Sequence, residues 1–93
     1  KLVVDTYHMN IEEDDPAMAV RRAGALVGHV QLGDSARWQP GTGHVDFASI
    51  VEALDDTGFD GWLALECNLR GDATEALAAG AAVLRPLLER VAR

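Results

Sequence analysis

The sequence contains one cysteine, Cys67, so it can form neither an internal disulfide nor a thiolate zinc cluster. A lone thiol is compatible with a reducing compartment, and the expected location is cytoplasmic. No apolar run approaches the roughly 18 residues that a membrane helix needs, so a membrane partner is not expected. Lys and Arg number 8 against 15 Asp and Glu, a formal net charge of -7, and the basic residues are scattered. A nucleic-acid backbone demands clustered cations, which argues against nucleic acid as the partner. An initiator Met, a charged leader and a cleavage-site pattern are also absent, since Lys1 runs straight into Leu2-Val3-Val4. That start is expected of a fragment. The 93 residues leave room for a single small domain.

What is present is ordinary for a soluble globular chain, 48% hydrophobic and 25% charged. One pattern occurs three times: a short apolar run, a polar loop, then a helical stretch. Leu2 to Tyr7 reads as the first strand, followed by a helix with Asp15 as N-cap, Pro16 at its first position and Gly24 closing it. Leu26 to Leu32 reads as the second strand. The loop from Gly33 to Val45 carries Gly33, Pro40, Gly41 and Gly43, and Asp46 caps a helix with Phe47, Ile50, Val51 and Leu54 at helical spacing, ended by Gly58. Trp62 to Leu65 reads as the third strand. Asp72 caps an Ala-rich helix with Leu77, Leu84, Leu87, Leu88 and Val91 facing inward, and Pro86 is expected to kink or split it near Ala82.

Strands alternating with helices predict α/β architecture with a parallel sheet and right-handed crossovers. A TIM (β/α)8 barrel spends about 31 residues on each of its units. Three units therefore account for this chain, and they form an incomplete barrel. An open doubly wound sheet is the alternative, disfavoured because no Gly-rich phosphate turn follows any strand. In parallel α/β proteins the reactive groups gather at the C-terminal strand ends. The first end offers Asp5 and His8, the second His29, Gln31 and Asp34, the third Glu66. These are oxygen and nitrogen donors without thiolate, a set suited to Mn2+, Mg2+ or Co2+ rather than structural zinc.

Four stretches carry a family resemblance: Asp-Thr-Tyr-His-Met-Asn-Ile-Glu-Glu (5 to 13), Gly-His-Val-Gln-Leu-Gly-Asp-Ser-Ala-Arg (28 to 37), Pro-Gly-Thr-Gly-His-Val-Asp-Phe (40 to 47) and Gly-Trp-Leu-Ala-Leu-Glu (61 to 66). In this order they resemble the last three strands of the ketose 3-epimerases and hydroxypyruvate isomerases of the xylose isomerase-like TIM-barrel type. The resemblance implies that residues 1–93 are the C-terminal portion of such a barrel. It also implies a divalent metal held by Asp5, Gln31, Glu66 and a further Glu from an earlier strand. The sugar epimerases usually carry His-x-His on the middle strand, whereas here His29-Val30-Gln31 stands. Gln31 resembles the hydroxypyruvate isomerase branch, and His8 to Glu13 resembles the 3-epimerases, so the substrate, a small sugar or a hydroxy-keto acid, stays open.

Moving a proton next to a carbonyl needs a base near the carbon and a cation to stabilise the developing enediolate. Glu66 is expected to be the catalytic carboxylate, with its partner Glu upstream. His8 is expected to hydrogen-bond a substrate oxygen, and Arg37 to hold a hydroxyl, carboxylate or phosphate. Each assignment has a structural alternative. Asp5 and Glu66 can cap loops, although a carboxylate directly after apolar residues is costly unless paired. Gln31 can be a hydrogen-bonded core residue, His29 can support a ligand or simply pack, and Arg37 can sit in a loop-edge salt bridge of small worth. Trp38 walls a pocket or covers the rim. Residues 12 to 15 read as a solvated charge run, His44 and Arg70 as surface, and Asp46 as a helix cap.

Two other functions compete. Asp5-Thr6-Tyr7-His8 also resembles an element of apurinic-site endonucleases, phosphodiesterases of the same superfamily, but their additional Asp-x-His is replaced by Arg37-Trp38-Gln39-Pro40. Taken alone, the chain would be an inactive piece that self-associates through open strand edges. A homo-oligomer or association with the missing barrel portion is the corresponding expectation.

Overall fold

Val3 and Val4 favour an extended backbone, and the extension stops at Asp5 because the Asp5 side chain starts a helix. In the computed structural model, which describes residues 1–91, strand β1 spans Leu2–Asp5 and helix α1 spans Thr6–Glu12. The Asp5 carboxylate accepts the His8 backbone N–H at 3.1 Å, satisfying one of the donors that a helix start leaves free. The expected strand to Tyr7, with His8 in a loop, is thus corrected: Thr6 and Tyr7 have strand propensity, but the cap outweighs it and both lie in the first turn of α1.

The next helices follow their local signals. Helix α2 spans Pro16–Ala23, with Asp15 accepting from Met18 N–H at 3.2 Å and Gly24 leaving the helix at φ 55°. A short 3-10 turn, Gly24–Leu26, delays the second strand by one residue, so β2 is Val27–Leu32. Helix α3, Phe47–Asp56, is capped by Asp46 through Ser49 N–H at 3.1 Å. Strand β3 is Leu63–Leu65, and although Trp62 lies outside it, the Trp62 carbonyl accepts from Val30 N–H at 3.3 Å. Helix α4 covers Ala73–Val91, with the Asp72 carboxylate accepting from Glu75 N–H at 3.0 Å.

The three strands form one parallel sheet in the order β1-β2-β3, as the alternation of elements predicts. Alternate side chains point to opposite faces, and register carries each face across the sheet: Val4 pairs with Val30 and Val30 with Leu63, whereas Asp5 pairs with Gln31 and Gln31 with Ala64. The first set meets the helices. Val30 and Leu32 are buried with Val20, Phe47, Ile50, Ala53, Leu54 and Leu84, and Val4 and Leu63 pack against them. Full burial of each large side chain stabilises by about 1.5–3 kcal/mol, so one sheet face and the inner helix faces form the core. The second set, Val3, Asp5, His29, Gln31 and Ala64, occupies the face without helices. Val3 is 63% exposed there.

Helix α4 departs from expectation twice. Leu77 and Leu88 are exposed rather than inward, and the buried positions are Ala76, Gly80 and Leu84, with Leu87 packed against the core. Small residues win because α4 lies close to the β2–α3 loop: a Cβ on Gly80 would stand 3.3 Å from Pro40 Cδ. Pro86 does not split the helix, which runs unbroken past it. Both Ala82 and Pro86 are exposed, so water can take the carbonyl that Pro86 leaves without a donor. The remaining cost of an interior Pro predicts that Pro86→Ala raises stability by about 1–3 kcal/mol. Thermal unfolding of the two proteins checks this, and an unchanged or lower midpoint would show that Pro86 carries no such cost.

Candidate functional site

The helix-free face turns polar where the strands end. Asp5 is the last residue of β1 and is directly paired with Gln31, so their side chains emerge next to each other. Gln31 is paired with Ala64, and Glu66 follows two residues later, one residue beyond the end of β3. The Glu66 N–H donates to the Leu32 carbonyl at 2.9 Å, extending the β2–β3 ladder up to the carboxylate-bearing residue. One Asp5 oxygen is engaged by the α1 cap. Among the described residues, no hydrogen bond engages the Gln31 amide or the Glu66 carboxylate.

The strand ends are drawn together by Thr6. Its fully buried hydroxyl donates to the Gly33 carbonyl at 2.7 Å and accepts the Gly33 N–H at 2.9 Å. Gly33 has to be small: a Cβ there would stand 3.1 Å from the Glu66 carbonyl and 3.6 Å from Tyr7 Cβ. Residues from all three strand ends therefore meet around one glycine.

The β2–α3 loop is organised by Asp34, which is 1% exposed. Its carboxylate accepts backbone N–H groups of Ser35 at 2.7 Å, Gly41 at 2.8 Å and Val45 at 3.1 Å. Burial pushes the Asp34 carboxyl up, but the N–H groups of Val45, Ser35, Gly43 and Gly41 together outweigh burial and hold it below its ordinary value. Within this loop Asp34 N–H donates to the Trp38 carbonyl at 2.9 Å and Arg37 N–H to the Asp34 carbonyl at 2.8 Å. Residues 35 to 37 form the three-residue turn whose last position is left-handed. Arg37 occupies that position at φ 69°, unlike any other non-glycine residue described. Buried Gln39 fixes the neighbouring β3–α4 loop: its side-chain amide donates to the Arg70 carbonyl at 3.2 Å and accepts Arg70 N–H at 2.9 Å.

His8 lies on α1 and Arg37 on the β2–α3 loop, joined through Tyr7. The Arg37 guanidinium lies over the Tyr7 ring, 5.2 Å from its centroid, and the His8 ring meets Tyr7 edge-on at 5.0 Å. A depression of about 490 Å³ along β1 is lined by Asp5, His8, Glu12 and Gln31 among others, and Glu66 and Arg37 lie outside its lining. The charge run from Glu12 to Asp15 is exposed, as are His44 and Arg70. Trp38 and His29 are half-buried. Burial, and to a smaller extent the Glu66 charge, raise the Cys67 thiol above its ordinary value, which makes it a poor thiolate.

Among the described residues, no group of three or more His, Cys, Asp and Glu is arranged to hold a metal ion. The expected donors do not form such a group by composition: Asp5 and Glu66 are carboxylates, and the third donor is the neutral amide oxygen of Gln31. Two carboxylates and an amide oxygen suit a hard, oxygen-preferring cation that takes further ligands from elsewhere. Thr6, Tyr7, Asp34 and Gln39 were not anticipated in their roles. The available signal was a carboxylate directly after Gly33 and ahead of Gly41 and Gly43, whose N–H groups Asp34 collects.

Residues 1–87 match the family model described as xylose isomerase-like TIM barrel. The chain belongs to that family. Its three parallel strands and their helices are part of such a barrel. Over 70 residues it is 43% identical to the D-psicose 3-epimerase of Ruminiclostridium cellulolyticum, covering 75% of this chain and 24% of that protein. It is 35% identical over 91 residues to the 2-oxo-tetronate isomerase of Cupriavidus necator, covering 97% of this chain and 34% of that protein. A solved L-ribulose 3-epimerase superposes with a TM-score of 0.89 at 33% identity, covering 97% of this chain and 36% of the other. The chain thus spans about a quarter to a third of the length of these relatives. Among the described residues no helix is long and apolar enough to cross a membrane.

Asp34 generates the prediction for this region. A carboxyl held below its unfolded value contributes stability that is fully present above the unfolded value and is lost as pH falls through the folded one. Asp34→Asn is expected to destabilise by on the order of 1–3 kcal/mol at neutral pH, with a smaller penalty in acid, where the native carboxyl is protonated as well. Urea unfolding at neutral and acidic pH tests this; a penalty independent of pH would contradict the role given to the charge.

Proposed function

We propose that the protein is a divalent-metal-dependent sugar isomerase or epimerase in which this chain forms the last three strand-helix units of the barrel. The observation that carries the reading is the register of the strand ends. Asp5 and Gln31 are direct partners, Gln31 pairs with Ala64, and Glu66 follows just past β3 with its N–H on the Leu32 carbonyl at 2.9 Å. The similar proteins named as epimerases of psicose and ribulose and as an isomerase of 2-oxo-tetronate support the same class.

In this reading Asp5, Gln31 and Glu66 hold Mn2+, Mg2+ or Co2+, with a further Glu supplied by the remainder of the barrel. When bound, the cation supplies stabilisation of the negative charge that develops on the substrate oxygens as a proton leaves the adjacent carbon. Glu66 is one of two carboxylates flanking the substrate, able to remove that proton or to return one, and its partner carboxylate lies outside this chain. For an epimerase the two carboxylates act on opposite faces of the carbon. For an isomerase one of them carries the proton between neighbouring carbons. His8, held at the start of α1, hydrogen-bonds a substrate oxygen. Arg37 offers planar N–H donors to a hydroxyl, carboxylate or phosphate at the far end. The substrate is a small sugar or hydroxy-keto acid.

A second reading applies to the chain in isolation, as a non-catalytic piece that self-associates. It is favoured by the exposed apolar residues at the two outer strands of the sheet: Leu2 and Val3 on β1, and Leu65 on β3 with the 81% exposed Trp62 just ahead of that strand. In the first reading the remainder of the barrel covers the same edges.

In the full-length protein, Glu66→Gln is expected to lower kcat by at least about a hundredfold, the scale of a lost general acid-base group. Asp5→Ala is expected to abolish tight binding of Mn2+ in calorimetric titration. Unchanged turnover in the first variant removes Glu66 from the acid-base role, and tight binding in the second removes Asp5 from the ligand set.

A further inference from the structure

We propose that Tyr7 is the positioning residue of the substrate-binding arginine, holding the Arg37 guanidinium by the face of its ring so that every N–H donor stays available to substrate oxygens. The inference deepens the proposed function and rests on it for the substrate.

Arg37 is held at an energetic disadvantage. The last position of a three-residue turn takes a left-handed backbone and favours glycine, yet an arginine stands there at φ 69°. Both of its backbone groups are tied, the N–H to the Asp34 carbonyl at 2.8 Å and the carbonyl to Asn68 N–H at 2.7 Å. Asp34 is itself pinned by the loop amides that its buried carboxylate collects. A side chain kept at a disfavoured backbone position by this many anchors points to a use for the side chain.

The guanidinium has an unusual partner for a cation on an acidic chain. Among the described residues the one side-chain salt bridge is Arg21 to Asp56 at 2.8 Å, remote from this loop. No carboxylate pairs with Arg37, and the contact described for its guanidinium is the Tyr7 ring at 5.2 Å. The distinction is chemical. A carboxylate would occupy the N–H fork of the guanidinium, whereas a ring face attracts the cation through its quadrupole and consumes no donor. Tyr7 is placed to do this by the Thr6–Gly33 junction. It follows Thr6, whose hydroxyl is locked on Gly33, and its Cβ lies 3.6 Å from where a Gly33 Cβ would stand. It precedes His8, whose ring it meets edge-on. One aromatic side chain thereby sets the spacing between the two groups assigned to substrate oxygens.

The test combines kinetics with a readout that needs no turnover. In the full-length protein, with a ketose substrate, Tyr7→Leu is expected to raise KM roughly two- to fivefold, the scale of an exposed cation–π contact, with kcat changed less than twofold. Tyr7→Phe keeps the ring face and is expected to restore the KM. In an Arg37→Ala background, Tyr7→Leu is expected to raise KM no further, since contacting residues that act through each other are not additive. The Arg37 Nε–Hε proton resonance, followed without substrate, is expected to lose its ring-current shift in Tyr7→Leu and to keep it in Tyr7→Phe. An unchanged KM in Tyr7→Leu, or a rise that persists without Arg37, overturns the proposal. If ketoses and hydroxy-keto acids are not turned over at all, the functional reading fails by itself. The resonance then decides the positioning role: a shift lost in the Leu variant alone supports it, and a shift that survives in the Leu variant overturns it.

Discussion

The arrangement depends on a single buried hydroxyl. Thr6 both donates to and accepts from the backbone of Gly33, which ties the first residue after β1 to the first residue after β2. Because a parallel sheet fixes which residues lie side by side but not how the chain leaves it, this pairing sets the directions of α1 and of the long loop together. Glycine at 33 is the complement: it lets Tyr7 and the Glu66 backbone approach to distances that a Cβ would obstruct. Along the chain, Asp5 and His8 lie one and two residues from Thr6 and Arg37 four residues from Gly33, while Glu66 approaches Gly33 in space through its backbone carbonyl.

Buried polar chemistry rather than apolar packing shapes the strand-end layer. Asp34, Thr6 and Gln39 are the buried polar residues among those described, and each bonds backbone groups of a loop or helix start. Unmade, such bonds cost about 1–3 kcal/mol for each buried group, so the loops have one well-defined course. The apolar core lies on the other side of the sheet, where Val30 and Leu32 meet the helices. This division leaves the site's side chains free of structural duty except for Asp5, which also caps α1. A carboxylate that caps a helix with one oxygen still presents the other, so capping and ligation are compatible in one residue.

Much of this was legible in the sequence because it is local. Asp15, Asp46 and Asp72 each precede a helix and accept the N–H three residues on, a pattern visible without any structure. The side-by-side placement of Asp5 and Gln31 on neighbouring strands was also legible, since alternation within strands and strand-end chemistry need no long-range knowledge. The misreadings came where distant parts decide. Thr6 and Tyr7 carry strand propensity, so the sequence extends β1 past Asp5, whose capping of α1 ends the strand. The leucines of α4 mark Leu84 and Leu87 on its inward face correctly, whereas Gly80 is buried because Pro40 comes close to it. Asp34 reads as a strand-end residue, but its partners fold back from positions 41, 43 and 45, and nothing in the order of residues shows that return. Tyr7 over Arg37 joins residues thirty positions apart, one in the first turn of α1 and the other in the β2–α3 loop, and leaves no periodic trace.

The central claim is that the ends of three adjacent strands form one donor set for a divalent cation. The most direct measurement is a crystal structure of the full-length protein grown with Mn2+, with the anomalous signal used to locate the ion. A shared donor set gives a peak at coordination distance, about 2.1 Å, from oxygens of Asp5, Gln31 and Glu66 together. A peak elsewhere, with the Gln31 and Glu66 side chains turned away from it, would contradict the account.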